Sequence, residues 1–254
     1  MIRNLSLQEW FLAYQLDFIE RNYCHIGGVW DIDLTKLQST FNNDGKDFAL
    51  TAILTKAIGI WQRECPAINR QRFKTFSGPK FYSCDSLAVN VPALLKSEGQ
   101  PYLSVLTIQN PHKKSVDAIK QEISEYTKTD PKTLPVAKFL IGRRNHVLNR
   151  LRMRIIHFLV NKIPSIQQRF EVGTISLSSL LSSTDQTANV TYMAKGPGSM
   201  SLTVCSYDKT NAHLRVGFSW DHATANGYEA VAAGKVFCSI LQGDRQELFK
   251  ELCQ

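Results

Sequence analysis

Apolar positions recur at two different periods along the chain, and each change of period marks a predicted element. Trp10, Leu12, Tyr14, Phe18 and Ile19 predict a helix over residues 6–22, uninterrupted by glycine or proline. Val29 to Leu34 alternates apolar and acidic side chains, the period-two pattern of a strand, and a short helix starts at Asp33–Lys36. Phe48 to Glu64 predicts a strong helix, with Leu50, Ile53, Leu54, Ala57, Ile58 and Trp61 at helical spacing and Pro66 as its stop. Strand-like pieces follow in Phe81–Val91, then a strand over Tyr102–Gln109 and a helix over Ser115–Tyr126. Val136 to Lys162 predicts one long helix with Gly142 as its weak point. Three strands (Gly173–Leu180, Ser199–Ser206, His213–Trp220) and an amphipathic helix over Glu229–Leu241 complete the chain. Helices and strands mix without regular β-α-β alternation. The expected fold is α+β, a two-layer mixed sheet flanked by helices in one domain over residues 1–254.

Composition adds little to this picture, but charge adds something. The chain is 43% apolar and 20% charged, an ordinary globular balance for 254 residues. The formal charge is +8, yet Lys132 to Arg169 holds nine of the 30 basic residues and no acidic one. The other 21 basic residues face 22 acidic ones, so a single segment makes the protein basic. Three readings fit that segment. It binds the phosphates of coenzyme A or an acidic carrier protein, through Arg143 and Arg144 among others. It lies on an anionic membrane through Val147, Leu148, Leu151, Ile155 and Phe158. Or it packs that apolar stripe on the domain and leaves its arginines in solvent. Nucleic acid is not expected, because the patch carries no stacking aromatics of its own.

The cysteines at 24, 65, 84, 205, 238 and 253 form no C-x-x-C pair and read as reduced thiols. The N-terminus has no cleavable apolar stretch, so a cytoplasmic location is expected. The six histidines show no ligand spacing, so no metal site is expected, and neither a phosphate-binding loop nor G-x-S-x-G occurs.

The densest chemistry lies at Leu214 to Gly227, LRVGFSWDHATANG. Alternating apolar residues run directly into Asp221-His222, and Asn226-Gly227 turns the chain into a helix. A histidine at the end of a buried strand is held rigidly, as a general base requires. On pattern alone, the better reading of such a histidine is structural or merely exposed. Upstream, Gly173-Thr-Ile-Ser-Leu-Ser-Ser-Leu180 places Thr174, Ser176 and Ser178 on one strand face and Ile175 and Leu177 on the other, with Ser178 44 residues before His222.

These segments resemble the chloramphenicol acetyltransferases and the catalytic domains of the 2-oxoacid dehydrogenase acyltransferases. Their shared signature is H-x-x-x-D-G, and His222-Ala-Thr-Ala-Asn226-Gly227 matches it with one mismatch. Gly173 to Leu180 resembles the GTFTISSLG segment of the dehydrogenase enzymes. Trp30 to Leu37, Phe48 to Ala57 and Cys65-Pro-Ala-Ile-Asn69 resemble the strand, turn, helix and P-x-x-N order of the same families.

The resemblance implies acyl transfer from a thioester, acetyl-CoA or another acyl donor acting as co-substrate with no permanently bound cofactor. The acceptor would be a hydroxyl of a small molecule or of a group on an acyl-carrier protein. His222 would be the general base and Ser178 the oxyanion donor, with Ser176 as the alternate and as a candidate cosubstrate contact. Asn226 would be the supporting third residue of the catalytic set. A homotrimer is implied, with His222 of one chain meeting Ser178 of its neighbour. The family aspartate is here Asn226, and the arginine that pairs with it in the chloramphenicol enzymes has no counterpart near Trp10-Phe11. Both halves of an ion pair are thus expected to be absent together. Ala223 replaces the arginine that follows the histidine in the dehydrogenase enzymes, and Leu181-Ser-Ser-Thr-Asp replaces their glycine-rich stretch. The competing reading is a catalytically inactive trimeric relative with a structural or regulatory role.

Overall fold

The computed structural model describes residues 6–75, 77–84, 86–97, 100–134, 145–163, 166, 173–179 and 200–254. Among these, the elements in chain order are α1 (Leu7–Asn22), β1 (His25–Asp33), α2 (Thr35–Asn43), α3 (Leu50–Glu64), β2 (Arg70–Thr75), β3 (Gly78–Ser83), β4 (Ala88–Ser97), β5 (Gln100–Gln109) and α4 (Val116–Thr127). Then come α5 (Val147–Lys162), β6 (Ile175–Ser179), β7 (Met200–Asp208), β8 (His213–Asp221), α6 (Gly227–Gln242) and α7 (Gln246–Cys253). A six-stranded sheet has the order β1-β8-β7-β6-β4-β5, and β2-β3 form a separate hairpin. β6 runs parallel to both β4 and β7, while every other pair is antiparallel, so the sheet is mixed as expected.

One face of the sheet makes the core. Ile32, Leu214, Val216, Leu202, Val204, Ile175, Leu177, Val89 and Ile108 all point there and are buried. Helix α3 lies against them and is buried at every residue from Ala52 to Gln62, including the polar Thr55, Lys56 and Gln62. Fully buried Trp61 donates its indole N–H to the Ala233 carbonyl of α6 at 2.7 Å, which satisfies the one polar atom of a large apolar side chain.

The motifs that carry the family resemblance meet in one buried network behind β6. Gln62 donates to Thr174 Oγ1 (3.1 Å), Asn69 Oδ1 (3.2 Å) and the Ala88 carbonyl (3.2 Å). The Thr174 hydroxyl donates to Asn69 Oδ1, and Asn69 Nδ2 donates to the Cys84 carbonyl. Asn90 accepts from the Gly173 N–H (3.0 Å) and donates to the Gly173 carbonyl (2.8 Å). Gly173 is required there, since a Cβ would sit 2.5 Å from the Ala88 carbonyl oxygen. The Pro-Ala-Ile-Asn turn and the Gly-Thr pair are thus two sides of one joint that sets where β6 enters the sheet.

Several sequence expectations change. The helix expected over Val136–Lys162 does not run unbroken. Asn145 is non-helical, His146 is an extended cap, and α5 starts only at Val147. Residues 135–144, with Arg143 and Arg144, lie outside the described residues. Of the three readings of this segment, packing of the stripe on the domain is not what the structure shows, since the stripe faces outward, with Val147 75%, Leu148 67%, Leu151 51%, Ile155 50% and Phe158 47% exposed. Asn149, Met153 and His157 face inward, and α5 packs on α1 and β2. The guanidinium groups of Arg150 and Arg154 lie 5.7 Å from the Trp10 ring, and that of Arg154 lies 5.6 Å from Tyr14. The aromatics absent from the basic segment are therefore supplied by α1. The chain closes with α7, a helix beyond the expected last one; Gly243, at φ 80°, makes the left-handed cap between the two.

Candidate active site

β8 delivers Asp221 to its last paired position, opposite His25 of β1. His222 then continues the ladder with one hydrogen bond, its N–H donating to the Cys24 carbonyl at 2.8 Å. The carboxylate of Asp221, fully buried, organises the turn. Its Oδ1 accepts from the N–H of Cys24 (3.1 Å) and of Ala223 (3.3 Å). The Thr224 N–H and hydroxyl both close on the Asp221 carbonyl, at 2.8 and 2.7 Å. His222 itself is exposed and stands on a fixed backbone.

A buried carboxylate needs a cation, and β2 provides it. Arg72 Nε lies 3.1 Å from Asp221 Oδ2, an ion pair in which the aspartate is 0% and the arginine 17% exposed. Arg72 also donates to the Asn22 carbonyl, and its guanidinium lies 5.8 Å from the Tyr23 ring. Burial, then the Asp221 charge, raise the Tyr23 phenol above its ordinary value; Arg72 and a hydrogen bond with Gln71 act the other way. The sequence reading concerned a pair between position 226 and α1 and did not foresee this one, in which Arg72 of β2 meets Asp221. The sequence signal was a carboxylate at the end of an otherwise apolar strand.

Asn226 sits at the N-cap of α6. Its Oδ1 accepts from the Glu229 N–H at 2.9 Å, and the Asn226 N–H donates to the Glu229 carboxylate at 3.0 Å. This reciprocal capping box ends the turn and starts the helix.

Ser176 and Ser178 share a face of β6, half-buried, with Ile175 and Leu177 in the core on the other side, as the alternation predicts. That face continues across the sheet. Ser176 is level with Ser201 and Ser219, and Ser178 with Thr203 and Gly217. Ser201, Thr203 and Ser219 are all buried, so the second face of the sheet is polar where the first is apolar. Among the described residues, the Thr203 hydroxyl, fully buried beside Ser178, has no hydrogen-bond partner. The alternation of Ser201 and Thr203 along β7 was a legible sign of this polar row.

One chain does not bring Ser178 and His222 together. Ser178 is level with Gly217 two strands away, and His222 lies five residues further along β8. At about 4.8 Å per strand and 3.3 Å per residue, their backbones are roughly 19 Å apart. His222 and Asn226 share one end of the sheet, and the serines lie on another strand well away from it.

No family model and no curated protein sequence matches the chain. Solved structures do. The chain is similar to a probable dihydrolipoamide acetyltransferase from Listeria monocytogenes, with 16% identity and TM-score 0.64, over 95% of this chain and 94% of that one. It is similar to the cubic core of the pyruvate dehydrogenase multienzyme complex, with 17% identity and TM-score 0.65, over 98% and 94%. The same figures hold for a dihydrolipoamide acetyltransferase of Azotobacter vinelandii, studied for the catalytic roles of a serine, a histidine and an asparagine four residues beyond that histidine. The fold of this chain is that of the dihydrolipoamide acetyltransferase catalytic core.

Proposed function

We propose that this protein is an acyltransferase that moves an acyl group, acetyl being the first choice, from a coenzyme A thioester to a hydroxyl of a small-molecule or carrier-bound acceptor. The observation that carries the reading is the His222 turn. A histidine stands on a strand end fixed by a buried ion pair, with an asparagine four residues on at a helix N-terminus. The Azotobacter enzyme has its catalytic histidine and asparagine at the same spacing. Asn226, a mismatch to the family signature, thereby becomes a match to one of its members.

In this reading, His222 removes the proton of the acceptor hydroxyl. The oxygen attacks the thioester carbonyl, and the oxyanion of the tetrahedral adduct accepts a hydrogen bond from Ser178. Collapse of the adduct breaks the C–S bond, and His222 returns its proton to the leaving thiolate. The unpartnered Thr203 hydroxyl beside Ser178 supports a polar slot on that face. The separation of Ser178 and His222 within one chain supports an assembly, a homotrimer, in which the two meet across a subunit boundary. Head-to-tail closure of a ring places unlike patches of successive copies in contact.

The test is thiol release from acetyl-CoA with a panel of hydroxyl and dithiol acceptors. Acceptor-dependent release should fall ~10²–10⁴-fold in His222→Ala and ~10²–10³-fold in Ser178→Ala. Activity that survives His222→Ala refutes the mechanism, and coenzyme A binding without release with any acceptor favours an inactive relative. Mixing the two inactive variants in equal amounts tests the shared site. In a ring of randomly mixed chains, about a quarter of the boundaries carry both intact residues, so about a quarter of the parent activity returns. No recovery after dissociation and reassembly refutes the intersubunit site.

A further inference from the structure

Among the described residues, helix α5 packs on the others with one side. Asn149, Met153 and His157 face inward, and the His157 ring stands edge-on to Phe18 at 4.5 Å, Tyr14 at 5.1 Å and Phe11 at 6.3 Å. At 3.6 residues per turn, the opposite side carries Val147, Leu151, Ile155 and Phe158, with Leu148 beside them. These are the side chains found half or more exposed, apart from Phe158 at 47%. Arg150 and Arg154 border this stripe on one edge and Arg152 on the other. No acidic residue occurs in α5 or anywhere from Lys132 to Arg169.

We propose that the outward face of α5 docks on an anionic lipid bilayer, lying in the interface with its stripe among the acyl chains. The charge pattern selects this occupant. Two copies meeting through the stripe by a two-fold axis would bring arginine edges against arginine edges. A carrier protein read by charge would need the arginines at the centre of the face, whereas they flank an apolar stripe whose one cation, Lys162, stands at its C-terminal end. An apolar strip between cationic borders is the arrangement that suits acyl chains below and anionic headgroups beside them. Arg150 and Arg154 are already held against Trp10 and Tyr14, so the border is fixed before docking. Among the described residues no helix is long and apolar enough to cross a membrane, so the contact is one of surface lying and not of spanning.

The experiment is cosedimentation of the full chain with vesicles of phosphatidylcholine alone or with a third phosphatidylserine, at low and high salt. Binding is expected only with phosphatidylserine and should fall as salt rises. The paired change Leu151→Asp, Ile155→Asp should weaken it at least about tenfold, and Arg152→Glu about tenfold. Lys128→Glu, a charge reversal past the end of α4, should alter it by less than about twofold. The substituted side chains are exposed, and an unchanged thermal midpoint confirms each variant is folded. Absence of phosphatidylserine-dependent binding overturns the proposal. So does an equal loss with Lys128→Glu, which would mark diffuse attraction by net charge. A stripe variant that changes oligomeric mass while vesicle binding persists also overturns it, and assigns the face to a second copy.

Discussion

Removing Arg72 should cost far more than neutralising its partner. Arg72→Ala strands the fully buried Asp221 carboxylate, and breaking a buried pair from one side costs about 3–5 kcal/mol. Two backbone donors, Cys24 N–H and Ala223 N–H, remain on Oδ1 and hold the loss near the lower figure, about 3 kcal/mol. Asp221→Asn is milder. The amide oxygen still accepts from both backbone groups, and Arg72 keeps the Asn22 carbonyl and reaches water at its 17% exposed edge, so about 1–2 kcal/mol is expected. The double variant Arg72→Leu, Asp221→Asn should then be more stable than Arg72→Ala alone, because no unpaired charge is left in the core. The assay is urea unfolding at one fixed protein concentration, with the thermal midpoint as a second reading. About 3 kcal/mol corresponds to roughly 6–12 °C in a chain of this size. A loss below about 1 kcal/mol for Arg72→Ala, or one no larger than that of Asp221→Asn, would refute the claim that Arg72 compensates this charge.

Gly173→Ala should destabilise by about 1–3 kcal/mol or more, because its Cβ would press on the Ala88 carbonyl and push β6 off β4; an unchanged thermal midpoint would contradict this. Asn226→Ala should lose about 1 kcal/mol by removing the α6 cap, while Asn226→Asp keeps the cap and most of the stability, which chemical denaturation can separate. Burial lowers the His157 pKa below its ordinary 6.5 in the folded chain, so the unfolded chain takes up the proton first. The stability is therefore present above pH 6.5 and declines as pH falls below it. His157→Phe should flatten the fall of the thermal midpoint between neutral and mildly acid pH, leaving the share of His112, which burial also lowers. An unchanged slope would show that the rings around His157 do not resist its charging.

What could be read from the sequence follows from how local each signal is. α3 and β8 show because burial imposes a period on their own residues. β2, Arg-Gln-Arg-Phe-Lys-Thr, has no such signal; it is a strand because β3 pairs with it, and its one apolar residue, Phe73, is buried. β4 runs through Pro92, which sequence patterns read as a break. It can do so because β6 pairs with β4 only at Val89 and Asn90, so the strand beyond has an open edge where a missing N–H costs little. The direction of α5 was illegible for a similar reason. Its pattern shows an apolar stripe and an arginine border, but the side that faces the protein is set by residues more than 130 positions earlier, Leu7 against Met153 and Phe11, Tyr14 and Phe18 against His157.

The candidate site was legible as motifs and illegible as a place. His222, Asn226 and Ser178 each occupy the local setting their pattern implies: a strand end, a helix cap and one face of a parallel strand. The Arg72–Asp221 pair, which holds the histidine turn, links residues 149 positions apart and leaves no periodic trace. The register then forbids the serine and the histidine from meeting in one chain, since strand pairing fixes both their row and their distance along it. The polar face of the sheet is buried at Ser201, Thr203 and Ser219, and within one chain it keeps the serines of β6 apart from the His222 turn.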